Sequence, residues 1–418
     1  DSPNPLKYIA KHISKEKPNM TVKELIARSK AAQAEFAFAT QEQADAAAKA
    51  ICKVVYDNAE KLGPMAAEES RMGSEQDKIA KCRNKSALIW ESLKGKKSCD
   101  IINRIEERRM IEVAKPVGVV ASIIPSTNPV VTPMSNGAFA LKCRNSVIFA
   151  PHPRAVKCTK LLVEMFRAEL KKLGLPEDLV QGLEEVSNDL TSELMSAADM
   201  VVATGGMGMV KAAYSSGKPA IGVGQGNVQC IIDEDADIAD AVGKIIIGRA
   251  FDNGLICLGE QTVFVPEDKE AEFVAEMKKQ GGYLVEGEEN VDKLREGLFP
   301  GGGAFSRVVV GMFADQVSDE IGLGAPKGTR VLFAKAKALG AGDVLCREKL
   351  CPVIAYMTYK TFKEGVAMME ANLDHEGKGH SIAVHSNTPE NVEYAAIRCC
   401  VSRVVVNQPS GTTGGGSP

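Results

Sequence analysis

The feature that most constrains this chain is a change of hydropathy pattern at Val117. From there, short and continuously apolar runs recur: VGVVASII (117–124), SVIFA (146–150), DMVVAT (199–204), AIGV (220–223) and VQCIID (228–233). Helical segments such as Ala155–Leu173 and Asp189–Ala198 separate them. A strand wetted on one side alternates in polarity, whereas strands apolar throughout fit a parallel sheet covered by helices on both faces. A second series begins near Gln261 with TVFV, RVVVGMF, RVLFAK, CPVIAYM, SIAVHS and SRVVVN. Two such series predict two α/β domains meeting near Arg249. The length of 418 residues accommodates them.

Before Val117 the chain reads as helical. Thr21 with Glu24, and Thr40 with Gln43, spell capping boxes. Leu25, Ala32 and Phe36 form one apolar stripe; Ala46, Ala50 and Val54 form another. Gly63-Pro64 reads as the end of the second helix, and two more helical stretches run through Trp90. Residues 1–20 carry three prolines around Leu6, Ile9 and Ile13. They read as an N-terminal extension, either frayed or a small amphipathic docking peptide. The Gly-rich tail 410–418 reads as mobile.

Charge excludes some classes. Fifty-one Lys and Arg against 54 Asp and Glu give a net charge of -3, which argues against nucleic-acid binding. No apolar run reaches about 18 residues, so no membrane span is expected. Eleven cysteines and five histidines show no zinc-ligand spacing, so no metal is expected. The cysteines read as reduced, mostly buried side chains of a cytoplasmic protein, with one available as a nucleophile.

Four stretches carry candidate chemistry. Cys257, in FDNGLICLGE, lies between Gly254 and Gly259, where exposed amides can stabilise an oxyanion. Taken alone, one cysteine among eleven beside Leu and Ile reads as core. Asn128 follows a strand end in SIIPSTNPVV, where its amide can meet developing negative charge, or where Asn-Pro simply turns the chain. ATGGMGMVKAAY (203–214) runs from a strand through Gly205-Gly206 into a helix, which suits a phosphate. AIGVGQGN (220–227) is a similar glycine-rich passage. Each of these last two also reads as a tight βα connection.

Together the segments AKPVGVVASIIPSTNPVVTP, FAPHPRA, ATGGMGMVKAAYSSGKPAIGVGQGN, FDNGLIC, EKLCPV and SRVVVNQPS resemble the CoA-acylating branch of the aldehyde dehydrogenase superfamily. The pattern is most similar to its succinate-semialdehyde members and less so to the acetaldehyde-acylating half of bifunctional aldehyde/alcohol dehydrogenases. The resemblance implies an aldehyde dehydrogenase-like α/β fold. A Rossmann-type cofactor domain would span 21–248, with oligomerisation strands at 100–114. A catalytic domain would span 249–400, and 401–418 would return toward the cofactor domain or the oligomer interface. Cys257 then resembles the nucleophile, and Asn128 with the Cys257 amide the oxyanion hole. Pro125 and Thr127 would lie along the nicotinamide. His152, Pro153 and Arg154 would hold the adenosine ribose, Gly205 and Gly206 the pyrophosphate, and Glu348 the nicotinamide ribose. The implied reaction converts aldehyde, CoA and NAD or NADP to acyl-CoA through a Cys257 thioester. Gly222 falls where hydrolytic relatives carry a glutamate, so the base that would activate water is missing and CoA is the expected acceptor.

Lys85 matches a lysine of the succinate-semialdehyde branch and would pair with a remote anion, assisted by Arg83. It also reads as a solvated helix charge. Leu258 departs from the small polar residue of that branch and should narrow the pocket. That keeps sulfoacetaldehyde, acetaldehyde and propionaldehyde open beside succinate semialdehyde. A hydrolytic aldehyde dehydrogenase and a catalytically idle cofactor-binding protein are the rival readings. The resemblance further implies a homodimer or higher homo-oligomer, and residues 1–20 raise the prospect of delivery to a bacterial microcompartment shell. It does not settle NAD against NADP, although Arg154 suits a 2′-phosphate.

Overall fold

The computed structural model describes residues 20–411. Four helices come first: α1 (Val22–Phe36), α2 (Gln41–Asp57), α3 (Ala59–Ser70) and α4 (Glu75–Leu93). Both expected capping boxes form, with Thr21 and Thr40 accepting from the amides of Glu24 and Gln43. Gly63-Pro64 does not end the second helix. The chain breaks at Asn58 instead, and Pro64 sits inside α3. A Cβ at Gly63 would stand 2.7 Å from Ile79 Cγ1. The glycine therefore serves close packing of α3 on α4 rather than a turn.

A hairpin follows, β1 (Asp100–Ile105) and β2 (Met110–Ala114), antiparallel and with Ile101, Met110, Ile111 and Val113 exposed. The first parallel sheet holds β3 (Val119–Ile123), β4 (Ser146–Ala150), β5 (Val180–Gly182), β6 (Met200–Thr204) and β7 (Ala220–Val223) in the order β5-β4-β3-β6-β7. Its crossovers contain α5 (Val131–Lys142), α6 (Val156–Lys172), α7 (Asn188–Ala197) and α8 (Met207–Tyr214). Both faces are dry. Val120 packs with α2 side chains such as Ile51, while Val119, Ala121 and Ile123 pack against Leu25 and Leu194 on the other side. That two-sided burial is why the strands are apolar throughout.

The second sheet is parallel too. It contains β8 (Val228–Ile232), β9 (Glu260–Pro266), β10 (Gly282–Leu284), β11 (Val331–Lys335), β12 (Val353–Tyr359), β13 (Ser381–His385) and β14 (Arg403–Val406). Their order is β10-β11-β12-β9-β8-β13-β14. Val263 and Val265 face one core and Phe264 the other. β8 and the helix α9 (Ile238–Ala250) belong here, so the sheets change between Val223 and Val228 and not at Arg249. A buried strand looks the same whichever sheet it joins, so hydropathy alone sets the boundary too late. β14 also lies in this sheet, pairing Arg403 with Ser381. The segment from 401 thus completes the second sheet; Ser410 stays with that domain, donating to Glu260 and Leu258, and Gly411 meets the first domain through Lys85. RVVVGMF forms no strand. It is a loop turning at Gly311 (φ 69°), whose carbonyl accepts from the Gly73 amide at 3.1 Å and from Asn253 Nδ2 at 2.9 Å.

The expected docking peptide falls outside the described residues, apart from Met20, and so does the tail beyond Gly411. Among the described residues, no helix is long and apolar enough to cross a membrane. No group of three His, Cys, Asp or Glu among them is placed to hold a metal.

Candidate active site

After α9 the chain makes an unusual turn. Asp252, Asn253 and Gly254 have φ of 49°, 53° and 74° in succession. Asp and Asn enter this left-handed region more readily than other side chains, and both are tied here. The Asp252 amide donates to Asp77 Oδ2 at 2.9 Å, and Asn253 Nδ2 reaches Gly311. Gly254 has a second reason to be glycine, since a Cβ there would stand 2.7 Å from the Cys351 carbonyl. The turn delivers Cys257 to a cleft of about 900 Å³ whose walls come from both domains. Eight of the eleven cysteines are buried and Cys143 and Cys400 are exposed; Cys257 alone is half-buried.

Asn128, Lys85, Leu258 and Gly222 line the same cleft, as do Lys81, His380 and Arg403. Burial pushes the Cys257 thiol up to about 11, and the Glu348 carboxylate adds to this; Lys81 and Arg403 pull the other way. Glu348 itself is buried, raised to about 7 by that burial, and accepts from the Gly226 amide at 2.9 Å. A Cβ at Gly226 would collide with the Cys257 carbonyl, so Glu348, Gly226 and the Cys257 loop form one packed unit. Lys85 is buried and lowered to about 8, chiefly by desolvation and then by the charges of Lys81 and Arg403. Its Nζ donates to the Gly411 carbonyl at 3.0 Å. His380 is held below the usual histidine range by burial and by Arg403, and its Nδ1 finds no hydrogen-bond partner among the described residues.

The loop after β3 carries Pro125 and Thr127, both half-buried, and then Asn128. Asn128 Oδ1 accepts from Lys81 Nζ at 2.9 Å, and its Nδ2 donates to Thr127 Oγ1 at 3.4 Å. Gly205 and Gly206 link β6 to α8. Gly206 caps the helix with no side chain, and a Cβ there would meet nothing within 4 Å. The backbone at Gly206 is therefore open to close approach, which fits a pyrophosphate. His152, Pro153 and Arg154 are exposed just beyond β4, outside the cleft lining but at the same end of the sheet. The Arg154 amide donates to His152 Nδ1 at 3.1 Å. At Gly222, a Cβ would stand 2.8 Å from Val210 and 2.9 Å from Tyr214, so a glutamate there would have to displace both.

Arg83 is the expectation that fails. It is exposed on α4 and pairs with Glu60 at 2.8 Å, away from the cleft. Positions two apart on a helix point about 200° apart, so Arg83 and Lys85 cannot share a pocket. Three cleft residues escape sequence reasoning. Lys81 was detectable, because Lys78, Lys81 and Lys85 recur at i, i+3 and i+7 along one face of α4. His380 and Arg403 come from distant strand ends, and only the tertiary fold brings them in.

Two parallel-sheet domains with a cleft lined by Cys257 and Asn128 define the class, and comparison agrees. The sequence profile of the aldehyde dehydrogenase family matches residues 4–293, and the chain belongs to that family. Its relatives place it among the CoA-acylating aldehyde dehydrogenases, oxidoreductases that act on aldehydes. It is 48% identical over 396 residues to a succinate-semialdehyde dehydrogenase (acetylating) of Clostridium kluyveri, covering 95% of this chain and 87% of that one. It is 39% identical to a sulfoacetaldehyde dehydrogenase (acylating) of Bilophila wadsworthia, again over 95% and 87% of the two chains. A crystal structure of Rhodopseudomonas palustris propionaldehyde dehydrogenase with bound CoA and an acylated cysteine superposes with a TM-score of 0.85 at 26% identity, covering 96% of this chain and 91% of that one.

Proposed function

We propose that this enzyme oxidises a short aldehyde bearing a remote anion, best matched by succinate semialdehyde, and transfers the acyl group to CoA through a Cys257 thioester. One observation carries the reading: Cys257, Asn128 and Lys85 line a single cleft. Cys257 gives up its thiol proton to solvent and adds to the carbonyl carbon as the thiolate. Asn128 Nδ2 and the Cys257 amide donate to the oxygen as its charge develops. Bound NAD(P)+ supplies the hydride acceptor. Pro125, Thr127 and Glu348 would hold its nicotinamide half, Gly205 and Gly206 its pyrophosphate, and His152, Pro153 and Arg154 its adenosine ribose. His380, neutral near pH 7 and lining the cleft, takes the proton of the incoming CoA thiol. Gly222 offers no carboxylate to activate water, and a thiol, which ionises near neutral pH, needs less help than water does. Lys85 attracts the far charge of the substrate.

Sulfoacetaldehyde is the second reading. Leu258, buried in the cleft beside the nucleophile, favours the shorter molecule. The test is NAD(P)H absorbance with succinate semialdehyde, sulfoacetaldehyde or acetaldehyde, with and without CoA. The expected result is sustained turnover only with CoA, and kcat/KM highest for succinate semialdehyde. Full turnover without CoA sinks the acylating mechanism; acetaldehyde as the best substrate sinks the anion site. Arg154 and Arg307 both lie within electrostatic reach of His152, which favours NADP over NAD. The exposed apolar side chains of β1 and β2 support a homodimer or larger homo-oligomer, checked by light scattering.

A further inference from the structure

We infer that Lys81 is a positioning residue of the oxyanion site, holding the Asn128 side-chain amide so that Nδ2 is left to face the cleft. The inference deepens the proposed function and rests on its assignment of Cys257 and Asn128. An ammonium has three N–H donors and no acceptor. Lys81 Nζ places one on Asn128 Oδ1 at 2.9 Å, one on Asp252 Oδ2 at 2.5 Å and one toward the Leu255 carbonyl at 3.4 Å. These three acceptors belong to the β3–α5 loop, the left-handed turn and the segment just before Cys257. Because the ammonium only donates, the amide has one admissible orientation, with its oxygen toward Lys81. A flipped amide would point oxygen at a developing oxyanion and repel it. The positive charge on Oδ1 also strengthens Nδ2 as a donor.

The buried charge is partly offset. Asp252 is fully buried and receives Lys81, Lys78 Nζ at 3.1 Å and the Ser74 amide at 3.0 Å. Lys78 and Lys81 are 3% and 4% exposed, so neither is a solvated helix charge. The two lysines share the carboxylate, but only Lys81 touches Asn128. That difference separates positioning from mere fastening of α4 to the nucleophile turn.

The experiment is a double-mutant cycle of Lys81→Met with Asn128→Ala, following kcat and KM for CoA-dependent oxidation by the full chain. Lys78→Met serves as the control, since it strips the same carboxylate of its other ammonium. Loss of a whole oxyanion donor costs about 10²–10³ in kcat. Lys81→Met is expected to lower kcat about 10- to 100-fold with both KM values within about threefold. In the Asn128→Ala background it should cost under about threefold, whereas Lys78→Met should cost the same in both backgrounds. An undiminished Lys81→Met loss beside Asn128→Ala, or no kcat loss at all, overturns the inference. Should Lys81→Met fail to fold by circular dichroism, Lys81→Gln goes through the same cycle with the same criterion. Retained turnover in Cys257→Ala would instead bring down the proposed function. A dead Cys257→Ala with an additive cycle removes only the role of Lys81.

Discussion

The two faces of α4 carry the same kind of side chain to opposite ends. On the outer face, Arg83 reaches into water and meets an exposed Glu60. On the inner face, Lys78, Lys81 and Lys85 are all buried. The inner face is itself divided. Lys78 and Lys81 share the Asp252 carboxylate, while Lys85, one turn further on, meets only a backbone carbonyl and no carboxylate among the described residues. A buried cation with a counter-charge is part of the scaffold. A buried cation without one is costly until an anion arrives, and so marks where a ligand belongs.

Four experiments can break or sharpen that contrast. The largest effect is expected for Cys257→Ala, which should lower turnover of every aldehyde by about 10⁴-fold or more, since both parts of the inner face act on chemistry at this sulfur. Steady-state NAD(P)H formation measures it. Next, Lys85→Ala should raise KM for succinate semialdehyde about 10- to 100-fold, the range for a charge-assisted hydrogen bond, with acetaldehyde little affected. Equal losses for both substrates would erase the distinction between the two ends of the face. The pH dependence follows from the same residue. Lys85 titrates near 8 because burial favours its neutral form, so it attracts an anion below pH 8 and loses its charge above. The ratio of kcat/KM for succinate semialdehyde to that for acetaldehyde should fall about three- to tenfold between about pH 7 and 9. A flat ratio would mean that Lys85 does not meet the anion. The smallest effect is expected outside: Arg83→Ala should leave activity within about twofold and stability within about 0.5 kcal/mol by thermal unfolding.

The same helix shows what a sequence discloses and what it hides. Charge on a helix is read as facing water, so the lysine stripe looks like an outer face when it is an inner one. Lys85 stands out only because a related family has a lysine at that position, and the same reasoning wrongly carries Arg83 along. Most strands are legible, because a doubly buried strand such as Ser146–Ala150 must be apolar throughout. β5 and β10 are not, since Val180–Gly182 and Gly282–Leu284 are three residues long and each contains glycine. RVVVGMF has the composition of a strand but turns at Gly311 to brace Asn253 in the left-handed turn. Cys257, Asn128, Leu258 and Gly222 all line the cleft. His380 and Arg403 are hidden because spacing along a chain says nothing about which strand ends converge.

The packing at Gly222 has a thermodynamic side. Val210 and Tyr214 close against that strand, and on the proposed reading the acyl–sulfur bond would be exchanged for another of nearly equal energy instead of being discharged into a carboxylic acid. Such an exchange stays near equilibrium. The proposed catalyst would thereby be a two-way valve, able to form aldehyde from an activated acid when reduced nicotinamide accumulates, with a glycine where a one-way drain would need a carboxylate.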